Sequence, residues 1–168
     1  MARFDDVRAT FWDEGADADR PPLTDAVVRD AEQRLGVRLP VPLLDLLRVR
    51  DGGVVAESWD AYPTDVPTSW SDDHVPFDVL MGIDPDDGLS VLDSAHLIEE
   101  WGLPSPLVLL SGDGHTWIAL DYRTCGADGE PSVTWFDADA ATEVPLAGDF
   151  RTFVEGLTSA ASFDDGLD

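Results

Sequence analysis

Three histidines, a single cysteine and an abundance of aspartate are the groups in this 168-residue chain with the reach to do chemistry. His74, His96 and His115 share no spacing of the H-E-x-x-H or H-x-H kind that would aim two imidazoles at one metal. Ser111-Gly112-Asp113-Gly114-His115 brings a hydroxyl, a carboxylate and an imidazole into one short stretch. It has no G-x-S-x-G elbow, however, and Gly-Asp-Gly is the chemistry of a hairpin turn. Asp84-Pro85-Asp86-Asp87-Gly88 looks like the start of a calcium loop. An EF-hand needs Gly at its sixth position and a bidentate Glu at its twelfth; counted from Asp84, the fifth is Gly88 and the twelfth is Ala95. A solvated acidic loop is expected there instead. Cys125 excludes an internal disulfide and a cysteine zinc site, and with Arg123 the one cation close by it reads as a structural thiol. Among 35 acids, neighbouring carboxylates arise by chance. The expectation is a protein that is not an enzyme and holds no metal or cofactor.

What remains is charge. All ten bases are Arg, with no Lys, against 35 acids, for a formal net charge of −25. Binding nucleic acid or an anionic membrane requires Lys and Arg to displace counterions, so both are poor partners for this chain. A basic protein, a metal ion or a cationic ligand suits it better. The charge is uneven. Residues 21–50 hold five Arg and four acids, whereas residues 51–100 hold thirteen acids and no base. Self-repulsion at such charge works against the compact state, which argues that the acids serve a purpose beyond solubility. The sequence turns acidic straight after Met1, without a secretory pattern, and its longest apolar runs, near Leu107 to Leu110, are far short of the ~20 residues of a membrane span. A cytoplasmic protein is expected.

The elements that must carry these charges follow from periodicity. Phe4, Val7, Phe11 and Trp12 make one helical stripe. Thr24 caps a helix over residues 24–36, with Val27, Val28, Ala31 and Leu35 on its apolar face and Gly36 as its stop. Pro40 and Pro42 introduce a helix over 42–51, packed by Leu43, Leu44, Leu46 and Leu47 and ended by Asp51-Gly52-Gly53. Strands are expected at 54–59 and 75–83, separated by a Pro/Asp/Ser loop around 60–73, and a short helix at 94–101. Strands at 107–110, 116–122 and 132–136 are joined by the Gly-Asp-Gly turn and by Ala127-Asp128-Gly129 as an antiparallel meander. Asp149 caps a last helix bearing Phe150, Phe153, Val154 and Leu157, and the tail from Ser159 is expected to fray. Helices first, then strands with short turns, then a helix, point to α+β. The arrangement expected is a single domain over 1–168, its core at about 20–158, with an antiparallel sheet of mixed order packed against N-terminal helices and a C-terminal helix.

Ala31-Glu32, Leu35-Gly36 and Leu39-Pro40, followed by Leu43-Leu44, Leu46-Leu47 and Asp51-Gly52-Gly53, make a pattern that resembles the opening of the SUKH superfamily, the Smi/Knr-type domains. The later half agrees: a Gly-Asp-Gly turn, a strand ending Ala119-Leu120-Asp121, a strand beginning Pro131-Ser132-Val133, and the terminal helix. The resemblance covers roughly residues 20–158 and is weakest over 56–95. It implies a small α+β binding module without catalytic activity or cofactor. Many bacterial members neutralise a cognate polymorphic toxin, often a nuclease; eukaryotic relatives act in regulation and scaffolding.

Trp12, Trp101, Trp117 and Trp135 fall on helix or strand patterns and are expected to pack. Trp59 and Trp70 flank the acidic loop outside any periodic face, and Trp is enriched at interface hot spots. The expected partner surface is therefore Trp59, Asp60, Asp65, Trp70, Asp72, Asp73, Asp78, Asp84, Asp86 and Asp87, facing a toxin protein with a basic surface. The free protein is expected to be a monomer. The alternative is a regulatory or scaffolding module of the same fold with no toxin partner.

Overall fold

The first helix, α1 (Phe4–Thr10), buries Phe4 and Val7; Phe11 and Trp12, expected on the same stripe, are buried just past its end, where Trp12 bridges to Val55. The computed structural model describes residues 3–13, 23–83, 90–112 and 115–163. In α2 (Asp25–Leu35) the Thr24 hydroxyl accepts from Val27 N, and Gly36 takes the left-handed conformation (φ 72°) that ends the helix. Pro40 precedes α3 (Val41–Val49), which buries Leu43, Leu44, Leu46 and Leu47. The short helix α4 (Ser94–Trp101) occupies the residues expected and stops at Gly102, again left-handed.

The meander is a four-stranded antiparallel sheet of β5 (Leu107–Gly112), β6 (Thr116–Asp121), β7 (Ser132–Asp137) and β8 (Thr142–Ala147), neighbours in chain order. Strand β8 was not foreseen. Its Thr142, Glu143 and Pro145 are exposed, and a proline in mid-strand argues against a central position. It is tolerated because β8 is the edge and Pro145 sits opposite Thr134 beside a register shift.

Two small ribbons replace the long strands expected at 54–59 and 75–83. β1 (Gly53–Val54) pairs with β4 (Val79–Leu80), and β2 (Ala61–Pro63) pairs with β3 (His74–Pro76), all antiparallel. The order is mixed here, since β1 reaches β4 across the β2–β3 pair. The chain leaves β1 because Ala56 N donates to Phe11 O, and Glu57–Trp59 then turn as a short 3-10 segment. β2 lies inside the stretch expected as loop; it is held on its other side by reciprocal bonds of 2.9 Å between Ala61 and Thr158. β3 and β4 are parted at Phe77, whose ring turns inward against Phe153, with centroids 4.9 Å apart and nearly perpendicular planes.

Helix α5 (Phe150–Glu155), capped by Asp149 Oδ1 on Thr152 N at 2.7 Å, is the centre of the core. Phe153 stacks on Tyr62 on one side and meets Phe77 and Phe150 on others, and the helix touches α1, α3, β7 and β8. The segment after it does not fray throughout. Ala160–Phe163 make a 3-10 turn: Ala160 N donates to Asp60 Oδ1 at 2.8 Å, and Phe163 stacks on His74.

Candidate functional site

The loop over residues 64–73, between β2 and β3, is built from its own polar side chains. Thr64 N donates to Asp73 O at 2.8 Å and closes the loop; Thr68 N donates to Ser71 O, and the Thr68 hydroxyl accepts from Trp70 N. Ser71 Oγ donates to Asp73 Oδ1 at 3.0 Å. The hydroxyl of Ser69 faces the carboxylate of Asp137, at the end of β7, and lowers its pKa. These bonds hold Trp70 outward, with 52% of its surface exposed. A large aromatic side chain kept in water by a well-bonded loop has not found a place in the core, and such residues recur at contact surfaces.

Trp70 is one wall of a cleft of about 640 Å³, within the range of ligand-binding pockets. The floor comes from the main sheet: Ile118 and Trp135 are cross-strand partners and so lie on one face, and Trp117, next along β6, lines the cleft at the strand end. The other wall is the β1–β4 ribbon, with Gly52, Val54, Asp78 and Val79. That ribbon is placed by glycine. Gly52 has φ 93°, and a Cβ there would press on the backbone of Gly82; a Cβ on Gly82 would in turn run into Asp51. The buried Asp51 carboxylate accepts from Ile83 N at 2.7 Å and fixes this crossing.

The electrostatics of the rim differ from those of the helices. Arg8 pairs with Asp5, Arg34 with Asp30, Arg48 with Asp25, Arg151 with Glu155, and Arg123 with Asp121 and Glu143. Asp65, Asp72, Asp73 and Asp78 are exposed, and among the described residues no arginine pairs with any of them. Asp73 has a local partner, His74 Nδ1 at 2.8 Å, and this hydrogen bond holds its carboxyl below the usual range. Asp137 is likewise held low, first by the Ser69 hydroxyl and then by Ala140 N.

The expected partner-binding residues divide accordingly. Asp65, Trp70, Asp72 and Asp73 share the 64–73 loop, and Asp78 lines the cleft that Trp70 walls. Trp59 and Asp60 are half-buried and use their polar groups internally: the Trp59 indole donates to Thr10 Oγ1 at 3.0 Å, and Asp60 accepts from Ala160 N. Asp84, Asp86 and Asp87 lie outside the described residues. Trp12, Trp117 and Trp135 are buried as expected, and Trp101 is half-buried against His115. Ser69 and Asp137 carried no signal in the sequence, and Gly52-Gly53 stood out only as a helix stop.

Elsewhere the chemistry is quiet. Ser111 is buried, and His115 meets Asp139 at 2.8 Å; Asp113 is outside the described residues. Burial pushes the Cys125 thiol up, away from the reactive thiolate. Among the described residues no group of His, Cys, Asp and Glu is arranged to hold a metal, and no helix is long and apolar enough to cross a membrane.

No curated protein matches this chain. The family comparison is positive: the model of the SMI1 / KNR4 family (SUKH-1) matches residues 22–156, from the segment before α2 to the end of α5. With that match spanning most of the chain, and with the helix pair, glycine turn, meander and terminal helix in place, the protein belongs to the SMI1 / KNR4 (SUKH-1) family.

Proposed function

We propose that this protein is a non-enzymatic, immunity-type inhibitor that binds a cognate basic toxin domain, a nuclease by preference, through the face carrying Trp70. The observation that supports this reading is an exposed Trp70 set among Asp65, Asp72, Asp73 and Asp78, with no arginine paired to those acids among the described residues. A nuclease carries positive charge around its phosphate-binding site, and carboxylates can occupy that site in place of the substrate's phosphates. Opposite potentials raise association to roughly 10⁸–10⁹ M⁻¹s⁻¹ at low salt. Fast capture is what a cell needs when it makes its own toxin. Trp70, packed against the partner, sets the dissociation rate.

The test is co-purification with the product of the neighbouring gene, followed by a growth-rescue assay in cells expressing that product. Complex formation with rescue supports the reading. A neighbour that neither binds nor poisons cells removes it, and leaves a regulatory binding module of the same family.

A further inference from the structure

The cleft beside Trp70 has a composition more specific than its rim. Its walls and floor are aromatic and aliphatic: Trp70, Trp135, Ile118, Val54 and Val79. Among the described residues one charged side chain lines it, Asp78, and no base does. The Asp78 carboxylate makes no ion pair among the described residues. Anions have no counter-charge here. An apolar ligand would leave Asp78 without a partner once water is displaced, which costs more than an exposed carboxylate does. A cation flat enough to lie against indole satisfies both components at once: the ring face attracts it and the carboxylate pairs with it.

We infer that this cleft is a receptor for an arginine side chain presented by a loop of a basic partner protein, with Trp70 stacking on the guanidinium and Asp78 pairing with it. The inference rests on the proposed inhibitor reading and names what that partner must offer. Arginine fits better than lysine because its planar, weakly hydrated head stacks on aromatic faces and gives up water at lower cost. A loop fits better than a small free cation for two reasons. The cleft, at about 640 Å³, exceeds one side chain. The acids Asp65, Asp72 and Asp73 extend the negative field along the loop, away from the cleft, where only a larger basic surface could use it. The cleft is also pre-formed. Its loop wall is closed by the Thr64–Asp73 and Thr68–Ser71 backbone bonds, and its ribbon wall is locked through Gly52 and Gly82, so little ordering entropy is lost on binding.

The experiment is an NMR titration of the intact protein with two capped pentapeptides, Gly-Gly-Arg-Gly-Gly and its citrulline counterpart, which keeps the shape and removes the charge. The arginine peptide is expected to shift the indole resonances of Trp70 and Trp135 saturably, with the citrulline peptide weaker by about tenfold or more. Trp70→Ala and Asp78→Asn should each weaken arginine-peptide binding by about tenfold. Glu99→Gln, an equal change of charge on an exposed position of α4, should leave it unaltered. No indole shift, equal binding of both peptides, or as large a loss from Glu99→Gln as from Asp78→Asn would overturn the assignment. The titration needs no toxin. If the arginine peptide binds while the neighbouring gene product does not, the cleft stands and the inhibitor reading falls; the opposite pair of results separates them the other way.

Discussion

The Ser69 hydroxyl, in the loop that carries Trp70, faces the carboxylate of Asp137 at the end of β7 and lowers its pKa. Asp137 is only 5% exposed and accepts from Ala140 N, which closes the turn after β7. Ser69→Ala is expected to raise the Asp137 pKa, seen by NMR, and to cost about 0.5–1.5 kcal/mol in urea denaturation. The indole of Trp70 should become more mobile on the nanosecond scale. An unaltered Asp137 titration would show that the Ser69 hydroxyl does not act on this carboxylate.

Asp121 and Arg123 give the fold an acid-sensitive clasp. Burial of Asp121 favours its neutral form, yet the hydrogen bond from Arg123 prevails, and the carboxyl lies below its ordinary 3.8. A carboxyl depressed in the folded state stabilises fully above its unfolded pKa, and that stability is lost as pH falls through the folded value. Asp137 acts in the same sense. The stability curve should therefore be flat for these groups above about pH 5 and decline below about pH 4. Arg123→Gln should cost about 1–3 kcal/mol at neutral pH and remove part of that acid dependence. Chemical denaturation from pH 3 to 7 checks both.

The crossing of Gly52 over Gly82 leaves no room for a methyl group. Gly52→Ala meets both a positive φ and the Gly82 backbone, so a loss of about 2–4 kcal/mol is expected by urea denaturation. Gly102→Ala is a useful contrast. It shares the positive φ, but nothing lies within 4 Å of its Cβ, so its cost should stay near 1 kcal/mol. Equal losses would mean that the close approach is not what glycine serves at residue 52.

The acidic face is addressed through kinetics. Replacing Asp65, Asp72, Asp73 and Asp78 together by Asn is expected to slow association with the basic partner by about tenfold at low salt and to flatten its salt dependence. Trp70→Ala should instead raise the dissociation rate, with association nearly unaltered. Stopped-flow binding at several salt concentrations separates the two. Unchanged association in the Asn variant would move the interface to another face.

The helices and meander were legible because their causes are local. Thr24 and Asp149 cap their helices, Gly36 and Gly102 end theirs, and residues 116–121 form the expected strand, although it is buried on both faces and not on one. The elements around the acidic stretch were not. Residues 54–59 hold β-formers, but the backbone there is claimed by Phe11 and Asp78, so a two-residue strand and a 3-10 turn result. β2 depends on Thr158, distant in the chain; β8 is the near partner of β7, but neither Pro63 nor Pro145 announces a strand.

The candidate site divides along the same line. By itself the sequence determined the lopsided charge, the identity of Trp70 as an aromatic without a periodic face, and the elements of an α+β fold, because composition and period are properties of neighbouring residues. Tertiary structure alone decided that Trp59 and Asp60 turn inward while Trp70 and Asp78 border one cleft. Those positions are set by bonds with Thr10 and Ala160, and by a glycine crossing between segments thirty residues apart. No local pattern encodes which distant backbone will close on a turn.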